Sequence, residues 1–236
     1  MTPEKRVGRT VGLLLLAHLA AGLMVPFMLL QRVTGRPGFL ETAAANSGQV
    51  RAAVFLLFVG SALATAAAIA AWPVFRSHSS GMALWLVALG IASFSLQAVD
   101  NGALLSMLSL SREYAKSTAA QLELFQGLAL VVGAARKWAH YSFLLVIGVW
   151  IFLLCAVLFR FRLVPRTLAA FGLIGSVLQI SGVTIRGLLG YPPETRLAMP
   201  LAPAYIAIAV WLIIKGFDER RPTVQVEAQE IRVAGA

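Results

Sequence analysis

The sequence contains little charge and only one cysteine. Asp, Glu, Lys and Arg make up 13% of its 236 residues, whereas a soluble domain carries about 25%. The single cysteine, Cys155, lies inside an apolar run. It therefore cannot form an intrachain disulfide or part of a cysteine-rich metal site, and we expect it to be a small core residue. These absences argue against both an ordinary soluble domain and a disulfide-stabilised scaffold.

Familiar enzyme motifs are also missing from the sequence. Neither the G-x-S-x-G motif of hydrolases nor the H-E-x-x-H motif of zinc peptidases occurs. The three histidines, His18, His78 and His140, are scattered along the chain, so we do not expect a three-histidine zinc site. The sequence favours a protein without enzymatic activity, and it predicts no catalytic residue, no metal and no cofactor.

Long apolar runs are the dominant feature of the sequence. Hydrophobic residues make up 59% of the chain, and the mean hydropathy is +0.81. A run of about twenty apolar residues crosses a hydrocarbon core of about 30 Å as a helix. We therefore predict an all-α protein, a polytopic membrane bundle of six transmembrane helices. The predicted spans are 11–30, 50–72, 81–110, 138–159, 163–189 and 199–215.

The remaining segments are assigned around these spans. Residues 1–10 form a basic N-terminal segment, 11–215 the transmembrane domain, and 216–236 a polar tail that is expected to fray. Pro26 should kink the outer end of the first span, which we interpret as a retained helix and not a signal peptide. The sequence further predicts a loop over 31–49, a turn over 73–80 that contains a solvated His78, and an interfacial or extended helix around 115–135.

Basic residues indicate how the bundle is oriented. Arg160, Arg162 and Arg166 lie in the short hinge between the fourth and fifth spans, and arginines in short loops favour the cytoplasmic side. With six spans, both termini are then cytoplasmic. The net charge of +10 is explained by this topology and by anionic headgroups, without nucleic acid. We expect a multi-pass protein of the bacterial cytoplasmic (inner) membrane, whose partners are the lipid bilayer and either a small ligand or another membrane protein.

Polar residues inside the predicted spans are candidates for function, because burying them in a bilayer is costly. Two helical faces carry them: Ser93, Gln97, Asp100 and Asn101 on the third span, and Gly172, Ser176, Gln179 and Arg186 on the fifth. The predicted topology places Asp100, Arg186, His140 and Tyr141 near the outer ends of neighbouring spans. We therefore predict that Asp100 pairs with Arg186, with His140 close by.

This outward-facing cluster has two interpretations. It is either a binding site for a small ligand or ion, or a hydrogen-bonded network that holds spans three to five together; single polar bridges between membrane helices are common, which favours the network. The candidate ligand-binding residues are Gln97, Asp100, Asn101, His140, Tyr141, Gln179 and Arg186. His18, midway along the first span, is expected to be a hydrogen-bonded packing residue. Its depth differs from that of His140, which argues against a haem held by both.

These residues are compatible with three different functions. The first is a non-enzymatic membrane protein that binds a small ligand or assists a partner. The second is a membrane-embedded metal-dependent hydrolase, in which Glu113 and Glu123 join Asp100 and His140 around a metal. The third is a small transporter, which requires a path from the outer cluster towards His18.

Several features of the second half of the chain occur together. They are His140 at the start of a span, the hinge Phe-Arg-Phe-Arg-Leu-Val-Pro-Arg-Thr-Leu over 159–168, Gly172 and Gly175, Pro200, and the closing run Trp-Leu-Ile-Ile-Lys-Gly over 211–216. Over about 138–216 this pattern resembles the DUF4386 family, bacterial integral membrane proteins of unknown function. The resemblance implies six membrane spans, and it implies no activity.

Overall fold

A computed structural model describes residues 3–35 and 38–218. Within these ranges the chain forms helices and no strand. The α-helices are α1 Pro3–Met24, α2 Gln31–Thr34, α3 Phe39–Thr42, α4 Ser47–His78, α5 Ser80–Tyr114, α6 Leu122–Arg160, α7 Arg166–Gln179, α8 Arg186–Leu188 and α9 Leu201–Ile214. Turns of π-helix at Val25–Leu29 and Ile180–Ile185 continue α1 and α7. The fold is an all-α bundle, as predicted.

Six helical stretches in the described part of the chain are long and apolar enough to cross a membrane. They are Lys5–Val33, Ser47–His78, Ser80–Tyr114, Ala119–Arg160, Arg166–Leu188 and Thr195–Ile214. Four of the five connections between them are short, and the fifth, between Val33 and Ser47, contains α3, so neighbouring spans are antiparallel. This confirms six candidate spans and a multi-pass arrangement.

The six spans form a closed ring. Each span packs against the next in the chain: α1 on α4, α4 on α5, α5 on α6, α6 on α7 and α7 on α9. The last helix, α9, then packs against α1 and closes the ring. Gly12 permits this closure, because a Cβ atom there would lie 2.6 Å from the carbonyl oxygen of Ala209. Small residues allow such close approach between membrane helices.

The two ends of the ring differ. One end, here called the hinge end, carries the turn at Ser79, the hinge around Arg162 and the first and last described residues. Its interior is filled by the largest core cluster, which includes Phe75, Trp150 and Leu212. The opposite end, here called the far end, carries the connections through Ala43, Lys116 and Glu194, and its two core clusters are much smaller. The protein is thus solidly packed at the hinge end, which leaves room for a cavity nearer the far end.

The predicted turn over 73–80 was wrong. Helix α4 continues through Pro73 to His78, because neighbouring helices and local adjustments allow membrane helices to tolerate an internal proline. The chain reverses at Ser79, whose hydroxyl accepts a hydrogen bond from the Met82 N–H at 3.4 Å and caps α5. His78 is exposed, as predicted, but it belongs to the end of α4 and its ring contacts Phe161.

The two connections at the far end are more ordered than a simple loop. Over 31–49, which was predicted as a loop, the described residues include α2, α3 and the first turn of α4. The segment around 115–135 extends the fourth span, one of the two predicted alternatives: a 3-10 turn at Ala119–Gln121 leads directly into α6. Thr118 and Gln121 form a capping box at this start.

The sequence also made predictions for Pro26 and for the ends of the chain. Pro26 lies in the π-helical turn Val25–Leu29, in agreement with the predicted irregularity of the first span. At the hinge end, Phe217 is buried and its ring lies 5.6 Å from that of Phe75. The predicted fraying of the polar tail concerns mainly residues 219–236, which lie outside the described residues.

Candidate ligand site

A cavity of about 440 Å³, open on part of its boundary, lies within the ring of helices. Residues from all six spans line it, so we call it the central cavity. Most of its wall is apolar, with side chains such as Val25, Leu57, Phe143 and Ile147. Its polar lining consists of His18, Ser61, Gln97, Arg136, His140 and Gln179. A mostly apolar pocket with a few converging polar groups is typical of a small-molecule site.

A buried carboxylate organises the polar side of the central cavity. Asp100 is completely buried, and its Oδ2 atom accepts a hydrogen bond from Nδ1 of His140 at 3.1 Å. Its Oδ1 atom lies 3.5 Å from Nε of Arg136, whose side chain is 20% exposed. Arg136 and His140 are one helical turn apart on α6, so a single face of that helix presents both partners. The pairing compensates a charge that would otherwise be costly inside a membrane bundle.

Gln97 and Asn101 connect this carboxylate to the neighbouring helices. The Gln97 Nε2 atom donates to Oδ2 of Asp100 at 3.2 Å and to Oδ1 of Asn101 at 3.1 Å. Asn101 in turn donates to the carbonyl oxygen of Val54 on α4 at 3.2 Å. The network therefore spans α4, α5 and α6, and it holds the amide of Gln97 at the cavity wall.

Three polar side chains of the cavity wall carry an oxygen atom that is not satisfied by protein. Ser61 Oγ, Gln97 Oε1 and Gln179 Oε1 are buried and have no hydrogen-bond partner among the described residues. The amide nitrogens of the two glutamines are already used, since Gln179 Nε2 donates to Thr184 Oγ1 at 3.1 Å. Buried polar atoms are normally hydrogen-bonded, so these oxygens are positioned to accept hydrogen bonds from a molecule inside the cavity.

His18 lies in the part of the cavity nearest the packed core. Its Nδ1 atom donates to the carbonyl oxygen of Gly60 at 2.9 Å, and its ring contacts Trp150 and Tyr205. The predicted hydrogen-bonded packing role is confirmed. His18 and His140, which were predicted to lie at different depths, line the same cavity. The cavity therefore extends from one of these depths to the other.

The predicted site residues are only partly brought together. Gln97, His140 and Gln179 line the central cavity, whereas Asp100 and Asn101 lie behind this lining and hold it. Tyr141 lines a second cavity, of about 340 Å³, next to the central one. Its ring also packs against Gly187, where a Cβ atom would collide with the phenol.

The predicted contact between Asp100 and Arg186 was wrong. Arg186 is exposed, and its Nε atom donates to the carbonyl oxygen of Pro192 at 3.0 Å. The π-helical turn at Ile180–Ile185 comes between Gln179 and Arg186. Because a π-turn has more residues per turn than an α-helix, the regular α-helical spacing that placed both residues on one face does not hold there.

Arg136 is the site residue that sequence reasoning missed. It comes two residues before the predicted start of the fourth span at 138, so it is not among the polar residues inside the predicted spans. The spacing of Arg136 and His140, which places them on one face of a continuous helix, is the signal that could have found it. Recognising that signal required the extended form of the fourth span.

The acidic residues proposed for a metal site are not gathered around Asp100. Glu113 forms an exposed ion pair with Lys116 at 2.9 Å, and Glu123 is exposed near the start of α6. Across residues 3–35 and 38–218, no group of three or more His, Cys, Asp or Glu side chains is arranged to hold a metal ion. The structure therefore does not assemble the donor set on which the hydrolase hypothesis depends.

A closed ring of six membrane-spanning helices around a cavity with a buried ion pair defines a polytopic membrane protein with an internal pocket. A family described as "Domain of unknown function (DUF4386)" matches the chain over residues 10–216. The protein belongs to this family, as its hinge and following spans predicted. Neither a curated protein nor a solved structure matches the chain at a significant level.

Proposed function

We propose that the protein binds a small amphipathic molecule in the central cavity. The observation that supports this proposal is the cavity itself, whose volume of about 440 Å³ falls within the range of small-molecule pockets. A cavity inside a bundle loses packing energy, and this one lies beside the core cluster that the same helices form. Ligand binding accounts for the space and for its mixed lining.

The free oxygens of the lining indicate the chemistry of the ligand. Ser61, Gln97 and Gln179 each offer a buried acceptor without a protein partner among the described residues, whereas the walls between them are apolar. A molecule with an apolar body and at least one hydroxyl or N–H donor matches both features. Leaving such acceptors unpaired costs about 1–3 kcal/mol each, so a donor on the ligand contributes directly to affinity.

The orientation in the membrane forms part of this proposal. The hinge end carries Arg162 in a short reversal and Arg76, Arg160 and Arg166 in the helix ends next to the short reversals, and such residues favour the cytoplasmic face. Both termini then lie in the cytoplasm, and the cluster of Asp100, Arg136 and His140 lies towards the outer side. We also propose a bacterial inner-membrane location, in keeping with the bacterial membrane family that the second half of the sequence resembles.

Binding of a neutral diol tests the proposed function. Radiolabelled decane-1,10-diol has an apolar body and two hydroxyl donors, and binding is measured by scintillation proximity on the protein in phosphatidylcholine nanodiscs. Gly22 lines the cavity, and a Cβ atom there meets nothing within 4 Å. We therefore expect Gly22→Leu to narrow the cavity without displacing a neighbour and to weaken binding by about tenfold, which is about 1.4 kcal/mol.

Gly102→Leu is the matched control. Gly102 is exposed on α5, also has open space around a Cβ atom, and does not line the cavity. It should leave diol binding unchanged. The proposal fails if wild-type nanodiscs bind no more diol than empty ones, or if the two leucine variants behave alike.

Transport of the bound molecule is a second candidate function. It is supported by the extent of the cavity, which is lined from His140 to His18 and thus provides the path that a transporter requires. The packed core at the hinge end would have to open for the molecule to leave on that side. Uptake of the labelled diol derivative 10-hydroxydecanoate into proteoliposomes, compared with liposomes that lack the protein, distinguishes transport from binding alone.

A further inference from the structure

A second cavity adjoins the central one. Its volume is about 340 Å³, and its lining includes Phe39, Met107, Lys137 and Tyr141. Arg136 and His140 line both cavities, so the two spaces meet at these side chains. The second cavity lies on the far-end side of this junction, next to α3 and the first half of α6.

Positive charge is in excess at the junction. Arg136 and Lys137 are adjacent on α6, and the one carboxylate that the junction contains is the buried Asp100, which Arg136 and His140 already engage. Lys137 has no carboxylate within 4.0 Å in the described part of the chain, and its Nζ atom lies 5.0 Å from the centre of the Trp138 ring. Among the acids at the far end, Glu113 is paired with Lys116, and Glu41 on α3 is exposed and does not line the second cavity. An anionic group in the second cavity would therefore meet cations that are not fully neutralised.

The central cavity extends this junction into an apolar space. It runs along α6 from Arg136 to Ile151, a distance of about 22 Å at 1.5 Å per residue. Such a length suits an extended chain better than a compact molecule. The wall around that chain is apolar, and Ser61 and Gln179 offer acceptors to a hydroxyl group on it.

We propose that the ligand is a single-chain anionic amphiphile. Its carboxylate or phosphate group lies in the second cavity near Lys137, Arg136 and His140, and its chain enters the central cavity and carries a hydroxyl group towards His18. This inference rests on the proposed function, because it identifies the class of molecule that the central cavity binds.

The test compares two probes that differ only at one end. Decane-1,10-diol has a hydroxyl where 10-hydroxydecanoate has a carboxylate, and both are measured on the intact protein in phosphatidylcholine nanodiscs, with empty nanodiscs subtracted. Hydrogen bonds to charged groups contribute more than neutral ones. We expect the hydroxy acid to bind at least about tenfold more tightly than the diol.

Lys137→Gln shows whether the junction recognises the charge. Because Lys137 is exposed, its loss should weaken binding of 10-hydroxydecanoate by about threefold and leave diol binding unchanged. Arg196→Gln is the matched control, since Arg196 is an exposed cation at the same end that lines neither cavity. It should leave binding of both probes unchanged.

The outcomes separate this inference from the proposed function. Equal affinity for the two probes, with both sensitive to Gly22→Leu, overturns the anionic ligand and leaves the central site in place. Absence of diol binding overturns the proposed function, and this inference with it, whatever the result with the hydroxy acid. Competition by acetate or inorganic phosphate as strong as that by 10-hydroxydecanoate would indicate a site for free anions and would also reject the amphiphile.

Discussion

At the scale of residues, Asp100 explains why the polar groups of the bundle lie where they do. A fully buried carboxylate needs compensation, and it obtains this from Arg136, His140 and Gln97. Breaking a buried ion pair costs about 3–5 kcal/mol when one charge is left alone. Because Arg136 is 20% exposed, solvent reduces the cost for the arginine but not for the aspartate.

A double-mutant cycle between Asp100 and Arg136 tests this pairing. Asp100→Asn and Arg136→Gln should each lower thermal stability in detergent, and the double variant should lose clearly less than the sum, because the two residues share one interaction. Arg186→Gln is the control, since Arg186 bonds to the Pro192 carbonyl instead. Its effect should add to that of Asp100→Asn. Coupling to Arg186 and additivity with Arg136 would contradict the structural pairing.

At the scale of elements, α6 connects the packed core with the two cavities. Its first half presents Arg136 and His140 to both cavities. In its second half, Trp150 Nε1 donates to the Leu86 carbonyl oxygen on α5 at 3.0 Å. Between them, Gly148 faces the start of the π-helical turn that follows α7. Such wider turns are frequent at functional sites, and this one positions Gln179 at the cavity wall.

Gly148→Ala should destabilise the protein. A Cβ atom there would lie 2.7 Å from Gln179 Oε1 and 2.8 Å from Ile180 Cγ1, so the side chains of Gln179 and Ile180 must move, at a cost of about 1–3 kcal/mol. Gly127→Ala, on the same helix and with nothing within 4 Å, should instead be neutral or stabilising by up to about 1 kcal/mol. Thermal unfolding of both variants measures the difference. A loss at Gly127 that equals the loss at Gly148 would show that the contact with α7 does not determine the effect.

At the scale of the whole molecule, the order of the spans in the closed ring determines which connections lie at the same end of the bundle. The Ser79 turn and the Arg162 hinge lie at the hinge end, and Lys116 and Glu194 lie at the far end. This arrangement follows from six antiparallel spans and does not depend on which end faces the cytoplasm. The proposed orientation then places the hinge end inside the cell.

Labelling of single cysteines tests both the arrangement and the orientation. Cys155 is buried and can be replaced by alanine to give an unreactive background. In intact cells, a membrane-impermeant maleimide should label Lys116→Cys and Glu194→Cys, and it should label Ser79→Cys and Arg162→Cys only after permeabilisation. The reverse pattern would invert the orientation, and labelling of Ser79→Cys and Lys116→Cys from one side would refute the six-span arrangement.

The sequence by itself determined the class of the protein and the number and order of its spans. Apolar runs of membrane length and the arginine hinge are local properties, because the bilayer acts on each segment separately. For the same reason Asp100 was recognisable as a costly residue that needs a partner. The helix periodicity of the third span also placed Gln97 and Asn101 beside it correctly.

Only the tertiary structure decided which residues meet. The partner of Asp100 is Arg136 and not Arg186, because α6 continues unbroken from Leu122 and the π-turn after Gln179 changes the face of the fifth span. The closure of α9 on α1 and the cavity inside the ring depend on contacts between residues far apart in the chain, such as Gly12 and Ala209. Helix periodicity describes one segment at a time, so it carries no information about how six helices are arranged around a common space.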